Sequence, residues 1–307
     1  MADSDRTASL MTPSKLAQIK PRGAASPAAW LNQMAADAGH VHVRRLGELR
    51  EELQAQALLR DVAPLVSELA GVAEALPRLD FALLQRRGWW ARTTGKSRSA
   101  GVEFAAQFEQ VGQVVRGLSA NTQLPQKKQQ EQATAADLAV LELEVEYRAI
   151  DKIIEQGTRW LHDMRNQINA RQAAPADPAG QEQLKDDAAR CEILVTRLKT
   201  LRTVSSAAQQ THQHAQGAAA RRAALLQLLR QALAPNVQAW QERLSALAAA
   251  AADDSSPVLS ADAAMEAHRD LQLRVKQAVA DCGQLQAQER ALAQSLQAFG
   301  VQLEAVG

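Results

Sequence analysis

Apolar residues recur every three or four positions along most of this chain. From Leu271 to Leu303, the positions Leu271, Val275, Ala278, Cys282, Leu285, Leu292, Leu296, Phe299 and Leu303 share one register, interrupted only by Glu289. This spacing lays a narrow apolar seam along a helix with polar flanks. It predicts helix-on-helix packing rather than a pocket lined for chemistry.

The same rhythm places a helix over 46–60, with Leu46, Leu49 and Leu53 on one face. A second starts at Pro64 and carries Leu65, Leu69, Val72 and Leu76 as far as Pro77, because proline is tolerated in a first helical turn and breaks an interior one. Ser26-Pro27 sets up a short helix through Trp30, Leu31 and Met34. Residues 1–27 hold no sustained period and read as a disordered or extended arm. Phe104, Phe108, Val111 and Val115 face inward from a helix over 101–121, and the Gln- and Lys-rich stretch 121–134, with Pro125, reads as a connection or a broken helix.

Long helices follow. One over 135–171 carries Ile154, Gly157, Leu161, Met164 and Ile168; the next, from 181 to about 233, carries Cys191, Leu194, Leu198 and Leu201. Pro235 interrupts or kinks it, and Val237, Trp240, Leu244 and Leu247 continue the seam to Ala252. The turns AAPADPAG at 173–180 and DDSSP at 253–257 bound these rods, and Ser260 is placed to cap the last helix. Short turns make neighbouring helices antiparallel. A helix of about 50 residues spans roughly 75 Å and cannot bury its seam alone.

The expected fold is therefore all-α: an elongated antiparallel helical bundle or coiled coil with long helices. Its expected divisions are a disordered arm at 1–27, an N-terminal helical subdomain at 28–121 with a loop near 86–100, and a long-helix antiparallel bundle at 135–307. Composition supports the class. Aromatics are 3%, with one Tyr and four Phe, too few for ordinary strands, while the helix formers Ala, Leu, Gln, Glu and Arg dominate.

A net charge of +1 lacks the basic excess of a nucleic-acid scaffold, so no nucleic acid is expected. The polar N-terminal stretch has no secretory core, and no run approaches the roughly 20 apolar residues of a membrane helix; a cytoplasmic location is expected. Whether Met1 or Met11 is the natural start stays open.

Candidate chemistry is sparse. His40 with His42, and His212 with His214, stand at i, i+2, which points their rings to opposite sides of a helix, so they read as solvated polar residues. Cys191 and Cys282 lie on apolar stripes and read as small core residues. Arg86, Arg87, Arg92, Lys96 and Arg98 surround Trp89-Trp90. The tryptophans are expected to cap a bundle end; weak anion or membrane-surface contact is the alternative for Arg86, Arg87, Trp89, Trp90 and Arg92. Trp160 and Trp240 read as core residues. Glu142, Glu144 and Glu146 alternate around their helix, and Glu51-Glu52 and Asp186-Asp187 read as solvated faces. No Ser-His-Asp set, phosphate loop or His-Glu-x-x-His helix is present. No catalytic, cofactor-binding or metal-binding residue is assigned, no cofactor is expected, and a non-enzyme is expected.

Several segments, taken in order, resemble the toxic-anion-resistance family, the TelA-like tellurite-resistance proteins. They are Val62-Ala-Pro-Leu-Val-Ser-Glu-Leu69, Gly88-Trp-Trp with Gly95-Lys96 and the Phe104-to-Val111 helix, and Leu194-Val-Thr-Arg-Leu-Lys-Thr-Leu-Arg-Thr-Val-Ser-Ser206 before Gln209-Gln210. Ala234-Pro-Asn-Val-Gln-Ala-Trp240 and Leu259-Ser-Ala-Asp262 complete the likeness, which covers roughly 60–300 as order and pattern. Ala218-Ala-Ala-Arg-Arg222 departs from it, replacing an Asn-rich stretch. The wider spacing from Pro235 to Trp240 and the lack of a charged tail also depart. The resemblance implies a divergent, cytoplasmic, helical protein of tellurite or envelope-stress resistance, working through protein partners or self-association. A structural coiled-coil component of a bacterial assembly, or a protein binding or reducing the oxyanion directly, are the alternatives.

Overall fold

The computed structural model describes residues 38–58, 62–85, 96–173, 178–253 and 260–306, with side chains described for all of these except Leu58, Gln85, 96–99 and 119–136. Among the described residues the secondary structure is helical, with no strand. The helices are α1 (His40–Leu58), α2 (Ala63–Ala75), α3 (Ala82–Gln85), α4 (Lys96–Gln172), α5 (Pro178–Leu228), α6 (Ala234–Ala252) and α7 (Asp262–Glu304). The all-α class is as the periodicity requires. The arm 1–27, the short helix at Trp30, Leu31 and Met34, and residues 86–95 of the loop expected near 86–100 lie outside the described residues, whereas 96–100 belong to α4 rather than to a loop.

Local chemistry sets the helix ends. Gly39 adopts φ +74°, a left-handed turn that strains any residue with a Cβ, and its carbonyl accepts the first helical bond from Val43 N–H at 2.9 Å. Thus α1 begins six residues before the expected start. Pro64 occupies the first turn of α2, and Pro77 tightens its exit into a 3₁₀ turn at Leu76–Arg78. Asp80 caps α3 by accepting the Ala82 N–H at 2.8 Å. Ser260 accepts the Asp262 N–H at 3.2 Å, as a cap for α7.

One difference from the expected elements concerns proline. The stretch 121–134 is not a break: α4 runs unbroken for 77 residues through Pro125. One proline removes one hydrogen bond, and the surrounding Gln, Lys, Ala and Glu are strong helix formers that carry the helix past it. At Pro235 the regular helix is interrupted, as expected. Leu229–Leu233 form a π-turn in which the Ala234 N–H bonds to the Leu229 carbonyl. The bulge absorbs the missing proline donor and adds a residue to the turn. It also resets phase. Leu225, Leu229, Leu233 and Val237 follow at steps of four and would drift round a regular helix, yet all four are buried.

The helices gather into two compact units, which are not the sequential blocks 28–121 and 135–307. The first contains α1, α4 from residue 135, α5 to residue 216 and α7 from residue 291. Its core includes Leu46, Leu49, Leu143, Ile150, Leu194, Leu201, Leu296 and Phe299. Contacts fix antiparallel registers here: Arg165 with Glu192 and Asp151 with Ser205 along α4 and α5, and His42 with Glu146 and Arg45 with Glu142 along α1 and α4. The α4–α5 crossing is close at Gly157, where a Cβ would stand 3.0 Å from both Leu198 methyls. The Ala-rich run of α5 packs closely too, with Ala208 and Ala215 buried.

The second unit contains α2, α3, α4 before residue 135, α5 from residue 217, the π-turn, α6 and α7 to residue 290. Its core joins Leu69, Val72 and Leu76 to Phe104, Val111, Val115, Trp240, Leu244, Leu271, Val275 and Cys282. Here too α6 and α7 are antiparallel, since Trp240 meets His268 while Arg243 reaches the Ala263 carbonyl.

Candidate functional site

Among the described residues, several groups of polar side chains join neighbouring helices, and α4 carries an exposed apolar face. In the first unit, Glu142 and Glu146, one turn apart, face α1, while Glu144 between them points to another side of α4, toward α5. Glu142 binds Arg45, Glu144 binds Arg148 and lies 3.5 Å from His212 Nε2, and Glu146 accepts from His42 Nδ1 at 2.6 Å. Arg45 also reaches Glu48 and Glu52; its pKa is raised, first by the Glu142 hydrogen bond and then by Glu48. His212 is buried with its ring edge-on to Tyr147 at 5.7 Å. These bonds tie α1 to α4 and α4 to α5.

This corrects the reading of His42 and His212 as solvated: both are drawn to carboxylates between helices, whereas His40 is exposed and His214 is half-buried. Asp187 is a second correction. It is buried between Arg171 and Arg190, while Asp186, Glu51 and Glu52 are exposed as expected.

A further polar contact in this unit is unusual for its charge. Arg197 is half-buried and donates to two backbone carbonyls, from Nε to Ala38 at 3.3 Å and from Nη1 to Val306 at 3.1 Å. Burial lowers its pKa. One side chain thus holds the entrance to α1 and the end of α7 against α5.

In the second unit, Trp240 donates its indole N–H to His268 Nδ1 at 3.1 Å, both residues being buried. Indole nitrogen is a donor only, so Nδ1 accepts and the imidazole proton sits on Nε2. The Gln272 amide lies 3.0 Å from that nitrogen. Phe81 meets the imidazole edge at 5.2 Å and Phe108 meets Trp240 at 5.4 Å. Desolvation in this apolar cage pushes the His268 pKa down to about 4. Trp240 is a core residue as expected; Trp160 is half-buried. His268 carried no sequence signal beyond its place beside a seam.

Both cysteines are buried, unpaired thiols, Cys191 in the first unit and Cys282 in the second. Burial raises both pKa values, Cys282 to about 11. A shallow groove of about 400 Å³ in the first unit is bordered by Asp151, Glu155, Thr158, Arg159 and Arg202. Several of its groups are already engaged: Asp151 accepts from Ser205, Arg159 binds Glu155, and Thr158 bonds the Ile154 carbonyl. Among the described residues, no group of three or more His, Cys, Asp or Glu is placed to hold a metal ion. The side chains of Arg86, Arg87, Trp89, Trp90, Arg92, Lys96 and Arg98 lie outside the described residues.

What remains is a surface. Leu138, Leu141 and Val145 on α4 are 58%, 57% and 65% exposed. Spaced i, i+3, i+7, they share one face, opposite the buried Ala139, Leu143, Tyr147 and Ile150. The pattern was present in the run Leu-Ala-Val-Leu-Glu-Leu-Glu-Val at 138–145, which is apolar on two sides where a bundle helix needs one. No membrane-crossing helix occurs among the described residues. Comparison with protein families, curated proteins and solved structures finds no match to this chain.

Proposed function

We propose that this chain is a non-enzymatic helical protein that acts by contact with other protein surfaces. The observation that carries the reading is the Leu138–Leu141–Val145 face: three large apolar side chains in one row, each more than half exposed. Exposed apolar rows on an otherwise charged helix mark protein contacts. The polar groups between helices support the same reading, since they are engaged with one another and set helix register.

The setting is cytoplasmic resistance to tellurite or a related toxic anion, supported by the ordered segments from Val62 to Asp262 that resemble that family. The test is growth on tellurite after deletion of the gene. Increased sensitivity, restored by the wild-type chain and by C191A/C282A alike, is the expected result. Unchanged sensitivity would leave a structural component with no stress role. Rescue lost only in the thiol variant would assign direct handling of the oxyanion.

A further inference from the structure

We infer that the occupant of the α4 face is a second copy of this chain, bound antiparallel about a twofold axis midway between Leu141 and Val145. The inference rests on the contact reading above and names its partner. Charge along the face is the argument. Asp137 stands at its N-terminal margin, and Lys152 and Arg148, the latter also paired with Glu144 of its own helix, at its C-terminal margin, all three exposed. A parallel copy would set acid against acid and base against bases. An antiparallel copy places Leu141 opposite Val145 of its mate, Leu138 on the aliphatic stem of the mate's Arg148, and Asp137 within about one turn of the mate's Arg148 and Lys152.

The flanks do not oppose this pairing. Glu142 is held by Arg45 on one side and Glu144 by Arg148 on the other. The row from Leu138 to Val145 is only about 10 Å long, so its buried area falls below that of an obligate dimer and the association is reversible. Twofold, isologous pairing is the commonest symmetry among soluble homo-oligomers.

The test is analytical ultracentrifugation of the full chain from low micromolar to several hundred micromolar. The wild type is expected to rise from monomer toward twice the monomer mass. L141E/V145E should stay monomeric throughout with an unchanged thermal melt, since both sites are exposed. D137K should weaken association at least about tenfold, one tenfold step being the change in Kd for about 1.4 kcal/mol, and D137K/R148E/K152E should recover most of the loss. A wild type that is monomeric at every concentration, or an L141E/V145E chain that still dimerises, overturns the inference. So does a monomeric wild type in which V145C is shielded from maleimide, because a segment of the same chain then covers the face. Failure here is separable from failure of the contact reading: L141E/V145E losing growth rescue in a monomeric protein would keep that reading and change the partner.

Discussion

Arg222 on α5 donates its Nε–H to Glu289 on α7 at 3.1 Å, and these two residues explain each other. Glu289 is the acid that breaks the apolar seam of α7, and Arg222 ends the Ala-rich stretch at 218–222. Both side chains are about four-fifths buried. A largely buried ion pair is worth little over an apolar pair in its place, but removing one partner strands the other. We predict that R222A and E289L each lower stability by about 1–2 kcal/mol, because each leaves the other charge buried without its partner. In the E289L background R222A should cost less than half as much, a coupling read from urea denaturation of the four-member cycle.

His268 makes stability depend on pH. An unfolded histidine titrates near 6.5, whereas the folded group titrates near 4 because burial disfavours its charged form. Above about 6.5 neither state binds the proton. Between the two values the unfolded chain takes it up and the folded chain does not, so stability falls as pH falls through that window and levels off below it. The contribution at stake is on the order of 3 kcal/mol. H268Q keeps an acceptor for the Trp240 N–H but does not titrate. Its stability should be flatter than that of the wild type between pH 4 and 6.5, and an unchanged slope would assign the effect to other groups.

The thiols should be slow. Cys282 ionises near 11 and Cys191 above its ordinary value, both through burial, and the thiolate is the reactive form. In native protein, a disulfide reagent should modify both only at the rate of unfolding, and fully in denaturant. Rapid native labelling of either cysteine would contradict its burial.

Arg197 carries a structural load out of proportion to its single charge. R197A leaves the Ala38 and Val306 carbonyls without this donor and should destabilise the first unit by about 1–3 kcal/mol. R197K, with one point donor in place of a planar fork, should recover less than half of that. Hydrogen exchange should show the opening at residues 40–46 and 300–304, at the two helix ends the guanidinium holds.

Much of this architecture was legible in the spacing of apolar residues. Leu271, Val275, Ala278, Cys282, Leu285, Leu292, Leu296 and Phe299 are all buried, because a three-four rhythm admits one geometry. Pro125 was harder to read. It punctuates the sequence locally, but a long helix held by many tertiary contacts tolerates one lost bond, whereas the interruption expected at Pro235 is present as a π-turn. Charged and imidazole groups were harder still. Whether His42, His212 or Asp187 is solvated depends on which helix lies alongside, and spacing within one helix does not encode its neighbour. The Leu138–Leu141–Val145 face was overlooked because its apolar residues merge with the core row in the same eight-residue run. Only the buried partners of Leu143 and Tyr147 separate the two.

The central claim is that this protein works through an apolar helix face rather than through its thiols. Growth of the deletion strain on tellurite, complemented in parallel by L141E/V145E and by C191A/C282A at matched expression, tests it most directly. The account predicts that C191A/C282A restores growth as the wild type does and that L141E/V145E does not. Full rescue by the face variant together with failure of the thiol variant would contradict it.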